Sequence, residues 1–221
     1  MQNAVSRLSY KPILFALAAL PLLLSPLLPV IAGPNANFTV TDKQVGPIGA
    51  NTTSADLRRL FGASHVVDKQ LTGAEGEMSD GSVVNPGSPD ELDIYWTDKT
   101  RTHPAEIRIF APGSRYRTAV GNVGVGTTVA DLVKKNGGKP IHFSGFDWDY
   151  GGTISDWGGG PLGKAFGGKS HIRLQLGHAV GADAKMSDAE TKSVEGEQQV
   201  SSSNPALRKL RPYVREITVG F

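Results

Sequence analysis

An 18-residue segment that occurs twice constrains the fold of this chain more than any other feature. Residues 45–62 and 120–137 align without a gap, and nine of the eighteen positions are identical. Composition alone seldom produces such a match, so we predict two copies of one supersecondary unit. We assign residues 33–119 to the first repeat unit and residues 120–221 to the second unit with a C-terminal extension. The two units can form one continuous domain.

Each copy carries the signals of a short helix. Thr53 and Thr128 each precede an aspartate by three positions, which is the spacing of a helix capping box. Gly62 and Gly137 follow where helices commonly end in a left-handed residue. The capping role accounts for both aspartates, so they need no catalytic role.

Antiparallel strands are predicted to follow each helix. The fold class is therefore α+β, with two tandem helix-plus-antiparallel-sheet repeats followed by a C-terminal helix and strand. Polar residues 72–89 and 181–203 are predicted to be loops, with a brief helix that can start at residues 187–190. Gly151-Gly152 fits a tight hairpin turn. The predicted strands are 66–71, 91–97, 105–110, 141–150, 153–157, 172–176 and 213–221, and the C-terminal helix is 206–210.

Residues 1–32 have the layout of a signal peptide. They contain Arg7 and Lys11, no acidic residue, and an apolar stretch from position 12 onward. We predict cleavage near Ala32 and export to the periplasm or the medium, with no stable membrane span afterwards. An uncleaved N-terminal membrane anchor is the alternative, because the apolar stretch is long enough to cross a bilayer. Three internal prolines disfavour that helix.

Charge and cysteine content exclude several classes of protein. The chain has 23 basic and 21 acidic residues, and without residues 1–32 it has 21 of each. A neutral protein has no general attraction for nucleic acid, so we predict no nucleic-acid partner. The absence of cysteine excludes disulfides, thiolate metal sites and lipidation at a signal-peptide cysteine. No cofactor, metal site or catalytic residue is predicted.

The pattern of a phosphate-binding loop occurs once, at residues 163–170. Such a loop functions because a helix follows it and directs its N–H groups at the phosphate. Here the predicted strand 172–176 follows instead. We interpret residues 163–170 as a connector.

The densest group of aromatic and acidic side chains lies at residues 145–157. Alternation along a strand would place Phe146, Trp148 and Tyr150 on one face, opposite Asp147 and Asp149. Trp157 precedes three glycines and is predicted to be the most exposed of these aromatic residues. The candidate binding residues are Trp148, Tyr150, Trp157, Asp147 and Asp149.

Three other interpretations of this segment remain open. The aromatic face can belong to the core, with the two aspartates in solvent. The carboxylates of Asp147, Asp149 and Asp156 can instead serve a small exported hydrolase or bind Ca²⁺. In a third interpretation the segment is a core hairpin and the function lies elsewhere, for instance in the acidic segment from Glu75 to Asp80.

The second copy also resembles a known repeat. Residues 126–132, the closing Gly138-Lys139-Pro140, and the following Trp148 and Tyr150 resemble the unit of small outer-membrane-assembly lipoproteins and of tandem-repeat β-lactamase inhibitor proteins. Residues 45–160 and the closing residues 201–221 are also similar to an uncharacterised family of exported bacterial proteins. These resemblances imply helix-plus-sheet repeats and non-enzymatic binding, and they transfer no functional residue. The missing lipidation cysteine argues against the anchored role of the lipoproteins.

The sequence therefore predicts an exported, non-enzymatic protein with a binding, inhibitory or envelope-accessory function. Its expected partner is another envelope or extracellular protein, or a glycan. The exported hydrolase is the alternative. A catalytic carboxylate is usually buried with a perturbed pKa, whereas a recognition surface needs exposed aromatic side chains.

Overall fold

The computed structural model describes residues 37–221 and contains five α-helices and three sheets, which confirms the α+β fold class. The predicted signal peptide and its cleavage point near Ala32 lie outside the described residues. Within residues 37–221, no helix is long and apolar enough to cross a membrane.

The elements are short and are numbered along the chain. The helices are α1 (Ser54–Phe61), α2 (Val129–Lys135), α3 (Gly163–Phe166), α4 (Asp188–Lys192) and α5 (Leu207–Leu210). The first strands are β1 (Thr39–Thr41), β2 (Gln44–Val45), β3 (Ile48–Gly49), β4 (Val66–Thr72), β5 (Met78–Val84), β6 (Leu92–Trp96) and β7 (Pro104–Ile109). The others are β8 (Arg117–Thr118), β9 (His142–Ser144), β10 (Ile154–Asp156), β11 (Ile172–Gly177), β12 (Gln199–Ser201) and β13 (Tyr213–Gly220).

A six-stranded antiparallel sheet is the largest element of the fold. Its strand order is β11-β13-β7-β6-β5-β4. Ile94, Ile107, Val219 and Ile172 are aligned across four strands and are buried, so they form part of the core face. Because side chains alternate along a strand, the intervening residues lie on the opposite, outer face.

Two smaller sheets complete the structure. One has the order β3-β2-β1-β8, with β1 and β8 parallel, and the other has the order β10-β9-β12. Leu57 of α1, Tyr116, Leu132 of α2 and Phe143 of β9 are buried in the same hydrophobic cluster as the core face of the large sheet. One core therefore serves all three sheets.

The sequence repeat reproduces a turn and the start of a helix. The N–H of Gly49 donates to Thr52 Oγ1 at 3.0 Å, and the equivalent pair 75 residues later has the same distance. Thr53 and Thr128 each accept the N–H of the aspartate three positions on, at 3.1 Å in both copies. The predicted N-terminal caps are therefore confirmed, but only the first copy has the reciprocal bond from the Thr53 N–H to Asp56 that completes a capping box. At the helix ends, Gly62 has a φ of 92° with a ψ of 138°, which is not the left-handed helical conformation that the sequence predicted.

Beyond this turn and helix, the tandem-repeat arrangement is not confirmed. α1 is followed by four strands of the large sheet, whereas α2 is followed by β9 and β10 of a three-stranded sheet. The large sheet also joins β7, from the predicted first unit, to β13, from the second. The strands are thus not divided between the two units as two copies of one sheet.

Both segments predicted to be long loops contain a strand, so the loop predictions were wrong there, whereas the brief helix predicted to start at residues 187–190 is confirmed by α4. Residues 72–89 include β5, and residues 181–203 include α4 and β12. β5 looks like a loop in sequence because its first half is polar and contains Gly81. The side chain of Leu71 packs directly over Gly81, and a Cβ at position 81 would lie 2.2 Å from Leu71 Cδ1. Gly81 therefore lies within a strand because the packing of Leu71 leaves no room for a larger side chain.

Candidate functional site

Residues 145–153 form a loop between β9 and β10, which we call the aromatic loop. The predicted strand 141–150 is wrong beyond Ser144. The predicted turn at Gly151-Gly152 is present, since the N–H of Thr153 donates to the Tyr150 carbonyl at 3.2 Å, but it lies at the end of a loop and does not join two strands directly. Asp147 has a φ of 65°, which a strand does not permit. The aromatic and acidic residues therefore do not occupy opposite faces of a strand.

Backbone hydrogen bonds hold the aromatic loop on two sides. On one side the N–H of Phe146 donates to the Val194 carbonyl at 2.7 Å, and Gly196 N–H donates to the Phe146 carbonyl at 2.9 Å. On the other side the N–H of Leu176 in β11 donates to the Gly152 carbonyl at 2.8 Å. Phe146 itself is buried in the core. These contacts fix the loop against two separate segments.

The loop presents two aromatic side chains and two carboxylates. Trp148 is half-buried and donates its Nε1–H to the Gly145 carbonyl at 2.9 Å. Tyr150 is 48% exposed, and the two rings meet edge to face with their centroids 5.4 Å apart. Asp147 and Asp149 are exposed beside them. The structure thus brings together four of the five candidate binding residues.

Trp157 is the exception, and its predicted exposure was wrong. It is only 5% exposed and packs against Phe166 of α3 with ring centroids 5.4 Å apart. The glycines that suggested exposure instead let the chain pass close to its neighbours. At Gly158 a Cβ would lie 2.3 Å from the Pro140 carbonyl oxygen. Trp157 is a core residue and does not belong to the candidate surface.

The three carboxylates of the hydrolase alternative are all exposed. Asp156 lies on β10, where its Oδ2 is 3.0 Å from Nδ1 of His142. Asp147 and Asp149 lie on the aromatic loop. Among residues 37–221, no group of three or more His, Asp or Glu side chains is arranged to hold a metal ion.

A cleft of about 450 Å³ lies on one side of the aromatic loop. Asp147, Trp148, His178 and Arg215 are among its lining residues. Glu195 lies next to this cleft. The pKa of Glu195 is raised above its usual value. Partial burial is the larger cause, and contact with Asp147 is the second. This acidic pair was not predicted, because its two members are far apart in the sequence.

A larger trough of about 750 Å³ lies on the other side, above the outer face of the six-stranded sheet. Tyr150 and Asp149 form part of one wall, and Glu75, at the end of the β4–β5 hairpin, forms part of the other. The predicted acidic segment therefore supplies Glu75 and Gly76 to the trough. Arg215 borders both the trough and the smaller cleft.

Ion pairs link the side chains on the trough floor. Arg108 Nε donates to Glu106 Oε1 at 2.6 Å, and Arg173 forms an ion pair with the second oxygen of Glu106. The Arg108 guanidinium also lies 4.3 Å from the ring centroid of Tyr95. Partial burial alone would lower the pKa of Arg108, but Glu106 outweighs it and the pKa is raised. The floor is thus a connected set of charged groups.

The trough was not predicted from the sequence, although the alternating polar residues that form its floor are visible there. Glu106 and Arg108 alternate with isoleucines along β7, and Arg173 and Gln175 alternate with apolar residues along β11. This alternation marks a polar sheet face. It does not indicate that β7 and β11 belong to one sheet with β13 between them.

No family model, curated protein or solved structure matches this chain. The features that bear on function are the geometry of the aromatic loop and its two flanking clefts. That geometry combines a fixed loop, an exposed aromatic ring and polar cavities on both sides.

Proposed function

We propose that this chain is an exported, non-enzymatic binding protein, with an inhibitory or envelope-accessory role, whose contact surface is the aromatic loop. One observation carries the proposal. Tyr150 is 48% exposed on a loop that hydrogen bonds fix on both sides. Aromatic side chains supply much of the binding energy at interfaces, and a preorganised loop loses little entropy on binding.

The surroundings of the loop favour recognition over hydrolysis. Asp147, Asp149 and Asp156 are exposed, whereas a catalytic carboxylate usually needs burial to adjust its pKa. The export assignment rests on the sequence of residues 1–32. A partner in the envelope or outside the cell, either a protein or a glycan, fits that location.

The test is a cross-linked pull-down from envelope fractions and culture fluid with the tagged full-length chain. We compare the native protein with the Trp148→Ala, Tyr150→Ala double variant and with Tyr150→Ala alone. Phe110→Ala is the matched control, because Phe110 is an exposed aromatic residue outside both clefts. Circular dichroism establishes that each variant is folded.

We expect the native protein and Phe110→Ala to capture the same partner and both loop variants to lose most of it. Equal capture by the folded loop variants would overturn the assignment of the contact surface. Failure of the native protein to capture any protein or glycan would overturn the binding function itself.

A further inference from the structure

The trough beside the aromatic loop has the chemistry of a site for a hydroxyl-rich ligand. Its floor offers side chains that already hold one another in place, with Glu106 between Arg108 and Arg173. Thr218 Oγ1 donates to Glu216 Oε1 at 3.0 Å on the same floor. Groups with both donors and acceptors in fixed positions can pair with many hydroxyls at little entropic cost.

A polypeptide is a poorer fit to the same trough. The floor strands β7 and β13 are each hydrogen-bonded to a neighbour on both sides, so they have no free edge for an added strand. The edge strand β11 also lines the trough, and its outer side is paired at Gln175 and Leu176 with Thr153 and Gly152. Tyr150 is the large exposed aromatic group on the wall. Protein interfaces usually need several apolar groups at their centre.

Tyr150 is well placed for one specific contact with a sugar. The ring lies at the rim of the trough, and its edge contact with Trp148 fixes its position. The negative face of an aromatic ring attracts the C–H groups on the apolar side of a pyranose. A sugar ring stacked on Tyr150 would direct its hydroxyls toward the charged floor.

Arg215 offers a cation to a negatively charged ligand, in a trough whose lining also holds the carboxylates of Glu75, Asp149 and Glu216. Within residues 37–221 its guanidinium makes no ion pair or side-chain hydrogen bond, unlike Arg108 and Arg173. Its stem packs over Gly177, where a Cβ would lie 2.7 Å from Arg215 Cδ. An exposed guanidinium held in this way is suited to bind a carboxylate through two parallel hydrogen bonds.

We infer that the trough binds an acidic oligosaccharide, with a sugar ring on Tyr150, hydroxyls on the Glu106, Arg108 and Arg173 floor, and a carboxylate on Arg215. This inference deepens the proposed function and rests on it, since it names the ligand class recognised beside the aromatic loop.

The test measures binding of the full-length chain to uronic-acid-containing oligosaccharides and to their carboxyl-reduced neutral counterparts. Arg215→Gln removes the charge but keeps most of the stem over Gly177. Arg208→Gln makes the same change on α5, at an exposed arginine outside the trough. Thermal denaturation checks that both variants are folded.

We expect an acidic oligosaccharide to bind, and its neutral counterpart to bind at least tenfold more weakly. Arg215→Gln and Tyr150→Ala should each weaken binding at least tenfold, and Arg208→Gln should not. Equal binding of the neutral form, no effect of Arg215→Gln, or no binding of any probe at millimolar concentration would overturn the inference. A protein partner captured through the aromatic loop in the pull-down would leave the proposed function standing while the inference failed.

Discussion

Trp148 and Trp157 are close in sequence but have different physical roles. Trp148 is half-buried on the aromatic loop, whereas Trp157 is buried against Phe166. We predict that Trp157→Ala lowers the free energy of unfolding by about 3–5 kcal/mol, because truncating a buried aromatic leaves a cavity. Tyr150→Ala should cost less than about 1 kcal/mol, since about half of the Tyr150 side chain is already exposed to solvent. Urea denaturation followed by circular dichroism measures both, and equal losses would contradict the assignment.

Asp68 makes the stability of the protein depend on pH. Burial alone would raise the pKa of this carboxyl, but hydrogen bonds from Ser82 and Arg58 and the charge of Arg101 outweigh it, so the pKa is lowered. The Asp68 oxygens lie 2.6 Å from Ser82 Oγ and 2.6 Å from Arg101 Nη1. A lowered pKa in the folded state gives stability above the unfolded value of about 3.9, and that stability is lost as the pH falls through the folded value.

We therefore predict that Asp68→Asn lowers the free energy of unfolding at pH 7 by about 1–3 kcal/mol, because a charged hydrogen-bond acceptor is lost. The variant should also lose less stability than the native protein when the pH falls below about 4. Urea titrations at several pH values test this. Asp188→Asn, at an exposed aspartate of α4, is the control. A steeper acid dependence in Asp68→Asn would contradict the role given to its carboxylate.

At the scale of elements, the aromatic loop depends on close backbone contact at Gly152. The residue has a φ of 78°, and a Cβ would lie 2.1 Å from the Leu176 carbonyl oxygen. We predict that Gly152→Ala lowers the free energy of unfolding by about 2–4 kcal/mol and weakens partner binding, because the added methyl group would push the aromatic loop away from β11.

Gly159→Ala is a matched control for this substitution. Gly159 also has a positive φ, of 71°, but a Cβ at this position would meet no atom within 4 Å. The cost of placing an L-residue in the left-handed conformation, about 1–2 kcal/mol, is then the whole effect. Urea denaturation and the pull-down measure the two variants side by side. Equal losses of stability and of partner capture in the two variants would show that contact with β11 does not hold the aromatic loop.

Local signals allowed some elements to be predicted and not others. The caps of α1 and α2 follow from residues three positions apart, so the sequence contains the whole interaction. The aromatic loop was mistaken for a strand because its shape depends on Val194 and Gly196, which are distant in sequence. An alternating sequence of aromatic and acidic residues is therefore compatible both with a strand and with a loop held by such contacts.

At the scale of the whole molecule, the large sheet joins strands from both halves of the chain. We predict a single cooperative unfolding transition, with tryptophan fluorescence and circular dichroism giving the same midpoint. Val219→Ala, at a buried position on β13, should lower the free energy of unfolding by about 2 kcal/mol and move both signals together. Val67→Ala, at an exposed position on β4, should change it by less than about 0.5 kcal/mol. Two separate transitions would contradict the shared core.

The same sheet explains why the trough could not be predicted. The alternating residues of β7 and β11 reveal a polar face on each strand. Only the pairing of both strands with β13 brings Glu106 and Arg173 into contact. Strand order in a sheet is a long-range property, so residue spacing does not contain it.

In vivo photo-cross-linking is the decisive test of a recognition surface at the aromatic loop. A photo-activatable phenylalanine analogue replaces Tyr150 of the full-length chain in living cells. Position 67 is the control, since Val67 is also exposed but lies on β4, outside both clefts. We predict a cross-linked adduct on irradiation from position 150 and none from position 67. No adduct at position 150, or the same adduct from both positions, would contradict a recognition surface at the aromatic loop.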